Sequence, residues 1–236
     1  MRCVPGNIAA GFSRAIRSLR PRPARVLDLY ERVWEGSPLG VDEFVLSADE
    51  KTSVQARRRK QPTLAPAAAR PLRVEHEYFR EGAWTYLAAW DVHRAKVFGR
   101  CESKNGIGPV DRLVSEVMNQ APYRTARRVF WIMDNCSAHR GQKAADRFRS
   151  KWPNAILVHT PIHASWLNQI EIYLSIVQRK VLTPNDFRSL AQLEERLLAF
   201  QTHYERSASP FRWTFTRKDL HALLAKLERK SLALAA

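Results

Sequence analysis

Five apolar residues in a row, Val129-Phe130-Trp131-Ile132-Met133, run into Asp134. A run this short, rich in aromatic and β-branched residues, predicts a strand buried on both faces. A second run, Phe44-Val45-Leu46-Ser47-Ala48, also ends in an acid, Asp49. Strand signals recur at Arg73 to Phe79, Trp84 to Trp90 and Ala95 to Cys101, parted by Arg80-Glu81-Gly82 and Asp91-Val92-His93-Arg94, which predicts an antiparallel meander. Ala155 to His159 reads as one more short strand, ended by Pro161.

Between and after the strands the period changes to that of a helix. Ile107, Val110, Leu113, Val114, Val117 and Met118 share one helical face, and a helix of mixed polarity is predicted over Gln142 to Lys151. Leu167, Ile170, Leu174, Val177 and Val181 define the buried stripe of a long helix, with Asn168, Glu171, Ser175 and Gln178 as the polar stripe beside it. Phe187, Leu190, Leu193, Leu197, Phe200 and Tyr204 form another such pattern, and Leu220, Leu223, Leu224 and Leu227 a last one. Near the start, Leu27, Tyr30 and Val33 predict a short helix before Gly36, Pro38 and Gly40 break the spacing. The order of elements predicts an α/β fold, a mixed sheet with helices on its faces.

Composition narrows the partner. Of 236 residues 45% are hydrophobic, enough for a full core, and 39 Lys and Arg against 23 Asp and Glu leave a net charge of +16. Such an excess favours a polyanion, most simply nucleic acid, because neutralised phosphates release counterions. The basic run Arg57-Arg58-Arg59-Lys60 lies just beyond Asp49, where it reads equally as a solvated face or as a contact to backbone phosphates. Cys3, Cys101 and Cys136 are odd in number and lack CxxC spacing, which argues against a disulfide framework or a zinc site and for a reduced, cytoplasmic setting. No apolar run is long enough to span a membrane, and the basic segment with Arg14, Arg17 and Arg20 lacks the apolar stretch of a signal peptide.

Asp49, Asp134 and Glu171 each stand at the edge of an apolar element, the first two after strands and the third in the first turns of a helix. Taken singly each reads as a cap or an exposed acid. Together, with no His or Cys at ligand spacing, they suit hard cations such as Mg²⁺ or Mn²⁺. Two such ions roughly 3.5–4 Å apart can serve the attacking and leaving oxygens of a phosphoryl displacement. Asp91, at another strand end, is a rival first acid. Glu75, His76 and Glu77 are set aside because neighbours along a strand face opposite ways. His139, His159 and His163 read as structural or as phosphate contacts, and neither a hydrolase elbow nor a phosphate-cradling glycine loop occurs.

Three blocks carry a resemblance: Asp49-Glu50-Lys51-Thr52, then Met133-Asp134-Asn135 with His139, then His163-Ala164-Ser165-Trp166-Leu167-Asn168-Gln169-Ile170-Glu171. They resemble the catalytic blocks of DDE transposases of the bacterial insertion-sequence branch of the mariner superfamily. Thirty-six residues lie between Asp134 and Glu171, close to the family's usual spacing, and Pro210-Phe211-Arg212-Trp213 is similar to its closing segment. The resemblance covers roughly residues 41 to 216. It implies a ribonuclease H-like mixed five-stranded sheet with helices on both faces, with Asp49 on the first strand, Asp134 ending the fourth and Glu171 on the helix after the fifth. It also implies two Mg²⁺ ions, replaceable by Mn²⁺, held by those three acids.

The same likeness implies hydrolysis of phosphodiesters at transposon ends, followed by attack of the freed 3′-hydroxyl on target DNA at a TA dinucleotide. DNA contacts are expected from Arg57, Arg58, Arg59, Lys60, His139, Arg140, Asn168, Arg179 and Lys180. A homodimer bridging two DNA ends, in the bacterial cytoplasm at the nucleoid, is the expected setting. Residues 41–216 are expected to be the catalytic domain and residues 217–236 a C-terminal helix. Residues 1–40 read as a basic lead-in, a remnant of a truncated DNA-binding region, because about forty residues are too few for the family's paired helix-turn-helix units. Two other readings stay open: a non-catalytic DNA-binding relic, and a ribonuclease H-like nuclease acting on hybrids or junctions.

Overall fold

Apolar runs become strands where neighbouring elements can cover them, and the segments between them follow. The computed structural model describes residues 22–135, 142–161 and 164–233. Helix α1 (Arg22–Tyr30) leads into a short antiparallel pair, β1 (Val33–Trp34) with β2 (Ser37–Pro38). Then come β3 (Glu43–Arg59), β4 (Tyr78–Asp91), β5 (Lys96–Glu102), α2 (Ile107–Met118), β6 (Arg128–Met133), α3 (Gln142–Lys151) and β7 (Ala155–His159). Helices α4 (Ile170–Lys180), α5 (Leu190–Glu205) and α6 (Arg217–Ala233) close the chain. Strands β3 to β7 form one mixed sheet in the order β5-β4-β3-β6-β7, with β4 and β5 antiparallel and β6 and β7 parallel.

Several expected boundaries move, each for a physical reason. The first helix ends at Tyr30, and Val33 belongs to β1, because Arg32, Glu35 and Gly36 take left-handed backbone angles of φ 57, 50 and 80° that turn the chain. Strand β3 runs on through Asp49 to Arg59, so Arg57 to Arg59 of the basic run are strand; backbone pairing, which continues as Lys60 N–H donates to Glu77 O at 3.2 Å, does not depend on side-chain polarity. Arg80-Glu81-Gly82 is no turn, since β4 passes through it as one strand. Gly82, at φ 110°, lies inside the strand where a β-carbon would sit 2.7 Å from Leu190 Cδ1, so it marks a close approach of α5. Arg73 to Glu77 stay outside the strands, tied to the chain by the Leu64–Arg73 bridge and by bonds from Arg59 and Lys60 to Glu75 and Glu77.

The contacts divide the chain into two compact units: residues 1–46, 125–168 and 211–236, and residues 47–124 and 169–210. In the first, Phe130, Trp131 and Ile132 of β6 are fully buried, and Trp131 meets Phe148 of α3 edge-on. Val26, Leu27 and Leu29 of α1 are buried with them, so residues from α1 onward are core material and not only a lead-in. The closing segment packs here too: Trp213 lies edge-on to Tyr30, and Phe215 edge-on to Trp166. Arg217 forms an ion pair with Asp28 of α1.

In the second unit the β4–β5 ladder is covered on both faces. Trp84 Nε1 donates to Leu190 O, and the Tyr86 and Tyr173 hydroxyls stand 3.2 Å apart, which puts α4 and α5 on one face. Burial pushes both of those phenols up. On the other face Arg100 and Glu102 pair with Glu116 and Arg112 of α2. Gly99 pairs with Ala88 across the ladder, and a β-carbon there would collide with the Tyr86 hydroxyl and lie 2.7 Å from Gln201 Oε1. Gly99→Ala is therefore expected to cost about 2 kcal/mol through overpacking. The measurement is a urea midpoint lowered at constant slope; an unchanged midpoint would show that Tyr86 can move aside.

Candidate active site

Asp134 is the first residue past β6, half-buried. The residues on either side of it are tied to one partner, for Thr160 N–H donates to Met133 O at 2.8 Å and the Asn135 side-chain Nδ2 donates to Thr160 O at 2.6 Å. Five buried residues behind it and this double clasp ahead give the carboxylate a rigid base. Thr160, just beyond β7, is itself buried.

Asp49 lies within β3, half-buried, with its Oδ1 accepting from Glu50 N–H at 2.8 Å. Glu171 is exposed in the first turn of α4, where a carboxylate is favoured by the helix dipole. The two elements are joined by a buried hydrogen bond, Ile170 N–H to Ser47 Oγ at 2.8 Å. Ser47 precedes Asp49 by two positions on the same strand face, and Ile170 immediately precedes Glu171, so this bond holds together the backbones that carry the two acids. Ser47 is a supporting position that sequence reasoning missed; its signal was a lone hydroxyl inside an apolar run, two residues before an acid.

The rival acid has a different job. Asp91 is buried; its Oδ1 accepts from His93 N–H and Arg94 N–H, and its Oδ2 accepts from the Tyr123 hydroxyl at 2.7 Å. It caps the β4–β5 turn. Cys101 is a free thiol that burial pushes up to about 12, which leaves it unreactive near neutral pH.

The basic residues part company. Arg58 is ion-paired with Glu81 at 2.7 Å, and Lys60 with Glu77 at 2.5 Å. Arg57 donates to the neutral Gln55 Oε1, and Arg59 to the Asn185 and Glu75 carbonyls, while both guanidinium groups lie over the Tyr78 ring. Arg179 and Lys180 are exposed in the last turn of α4. Asn168, expected on the polar stripe as a DNA contact, is instead buried, because the chain enters α4 through a 3₁₀ turn, Ser165–Leu167, and not through a further turn of α-helix. His139, Arg140, His163, Cys3 and Cys136 lie outside the described residues.

Among the described residues no three His, Cys, Asp or Glu side chains stand close enough to hold an ion by themselves. Mg²⁺ does not need such a cage, since it binds through one or two carboxylates together with substrate phosphates and retained waters. Asp49 and Glu171 in one unit, and Asp134 in the other, are each oxygen donors of the kind that mode uses. No helix among the described residues is long and apolar enough to cross a membrane.

The family model of the DDE superfamily endonucleases matches residues 45–194, well over half of the chain and inclusive of all three acids. No curated protein matches the sequence. Among solved structures, a Mos1 mariner paired-end complex with Mn superimposes with a TM-score of 0.55 at 14% identity, over 94% of this chain and 62% of that one. The Mos1 transposase catalytic domain with Raltegravir and Mn gives a TM-score of 0.53 at 13% identity, over 94% of this chain and 96% of that one. The catalytic domain of Mos1 mariner transposase gives 0.50 at 14%, over 92% and 94%. The fold is thus ribonuclease H-like, and the chain spans about three fifths of the length of the Mos1 protein in the paired-end complex.

Proposed function

As a member of the DDE superfamily of endonucleases, the chain is, we propose, the catalytic domain of a transposase that cleaves and joins DNA phosphodiesters at transposon ends. One observation carries this reading: the family match runs from the strand bearing Asp49 to beyond the helix bearing Glu171, and the buried Ser47–Ile170 hydrogen bond ties those two elements together. The three sequence blocks support the bacterial insertion-sequence branch, and with it a TA target, a homodimer and a place at the nucleoid.

Asp49, Asp134 and Glu171 would hold two divalent cations, which supply activation of the attacking oxygen and neutralisation of charge at the scissile phosphate. The chain's own part is positional. The clasp at Thr160 fixes Asp134, and the Ser47–Ile170 bond keeps the backbone of α4 against β3. Water attacks phosphorus, the P–O3′ bond breaks, and the departing 3′-oxygen takes up a proton. The resulting 3′-hydroxyl then attacks a target phosphate in a second displacement of the same kind, exchanging one phosphodiester for another.

Purified protein is expected to nick or join DNA carrying transposon ends only when Mg²⁺ or Mn²⁺ is supplied, with activity lost in EDTA. Preferential cleavage of an RNA–DNA hybrid would favour a ribonuclease H-like nuclease. Salt-sensitive DNA binding with no cleavage, even of pre-cut ends, would leave the relic.

A further inference from the structure

Beyond Asp49, strand β3 forms one wall of a cleft of about 540 Å³. Lys51, Thr52, Ser53, Arg57 and Arg59 line that wall, and Thr183, Pro184 and Asn185 stand opposite. The far wall is fixed to the strand: Asn185 Nδ2 donates to Gln55 O at 2.8 Å, and Arg57 N–H donates to Asn185 Oδ1 at 3.1 Å. Among the described residues that line the cleft none is an acid, and Asp186, next to Asn185, accepts from Arg59 N–H at 3.4 Å. Three cations and three hydroxyls lining one concave space make a site for an anion.

The pleat of the strand sorts the basic run. Odd-numbered Arg57 and Arg59 reach into the cleft over Tyr78, anchored by uncharged acceptors, and neither guanidinium has a carboxylate partner among the described residues. Even-numbered Arg58 and Lys60 point the other way, over Phe79, and are ion-paired with Glu81 and Glu77. Ala56, buried and absent from the cleft lining, carries the alternation back from Arg58; nearer Asp49, where Ser53 takes φ 55°, Thr52, Ser53 and Val54 line the cleft in succession. Lys51 likewise has no ion-pair partner among the described residues.

We infer that this cleft is a binding track for the phosphodiester backbone of DNA, read by Lys51, Arg57 and Arg59, and that Arg58 and Lys60 take no part in it. The inference rests on the proposed action on DNA and names the strand face that performs the binding.

The test compares two variants of equal net charge, Lys51→Gln/Arg57→Gln and Arg58→Gln/Lys60→Gln, with the wild-type chain. Affinity for a labelled DNA duplex is measured across a series of salt concentrations. Each phosphate contact contributes about 0.9 to the slope of log K against log salt, so the first variant should be shallower by about 2 and the second unchanged. Equal loss of slope in both variants overturns the cleft while leaving DNA action intact. A wild-type chain that fails to bind DNA removes the functional reading itself. As a check that needs no variant, lysine acylation of the wild-type chain read by mass spectrometry should show Lys51 protected by DNA and Lys60 not. Equal labelling of Lys51 with and without DNA also overturns the inference.

Discussion

Replacing Asp134 with alanine is expected to lower metal-dependent DNA cleavage by roughly 10³-fold while DNA binding stays within about twofold of the wild type. The size follows from the several kcal/mol of charge stabilisation that a bound ion supplies at a phosphoryl centre, at 1.36 kcal/mol per factor of ten. Binding should survive because Met133 O and the Asn135 amide hold that stretch to Thr160 and remain in the variant. Single-turnover cleavage of an end-labelled substrate, alongside binding in EDTA, separates the two effects. Full cleavage by the alanine variant would remove Asp134 from the chemistry and with it the three-acid assignment.

The largest stability effect is expected at Arg128. Its Nε donates to Glu43, a carboxylate at 1% exposure that also accepts from Gly40 N–H at 2.7 Å. The Arg128 hydrogen bond holds the Glu43 carboxyl below its usual range, against the burial that would raise it. Arg128→Ala leaves a buried carboxylate without its cation, a loss of about 3 kcal/mol near neutral pH, at the lower end for buried pairs because the arginine side chain is 28% exposed. A carboxyl whose pKa is depressed by folding contributes stability above its unfolded pKa and loses it as pH falls through the folded value. The gap between variant and wild type should therefore be full at pH 7 and shrink below about pH 4.5. Urea unfolding at pH 7 and pH 3.5 measures it. Adding Glu43→Gln to Arg128→Ala should recover part of the loss, whereas a gap independent of pH would mean that Arg128 acts through its packing over Phe130.

Much of the fold was legible because the period of burial was. The helix at Ile107–Met118, the helix at Gln142–Lys151 and the strand at Ala155–His159 lie where the sequence pattern predicts them. The sequence misled where one residue type serves two purposes. Gly82 reads as punctuation, but its missing side chain makes room for Leu190 within a continuous strand. The acid at Asp49 reads as a strand end, yet β3 continues ten residues beyond it because its backbone remains paired. Asn168 falls on the polar side of a helical wheel, but the 3₁₀ turn before α4 rotates it inward.

At the candidate site the acids were visible as residues flanking apolar runs, whereas their supports were not. Ser47 acts through one hydrogen bond to a residue 123 positions away and Thr160 through bonds to Met133 and Asn135, the latter 25 positions away, and no local pattern encodes partners at such distances. The basic run posed the opposite problem. Four cations in a row look equivalent in sequence, and only the acids across the strand distinguish Arg58 and Lys60 from Arg57 and Arg59.

That distinction gives β3 a parity that constrains how this part of the gene can change in length. Inserting one residue between Gln55 and Arg57 would send every later side chain to the opposite face, delivering Arg57 and Arg59 to Glu81 and Glu77 and turning Arg58 into the cleft. Inserting two would keep each cation on its own side. Descendants of this chain should therefore tolerate length changes in the second half of β3 in even steps, with odd steps surviving only where acids and bases have exchanged faces together.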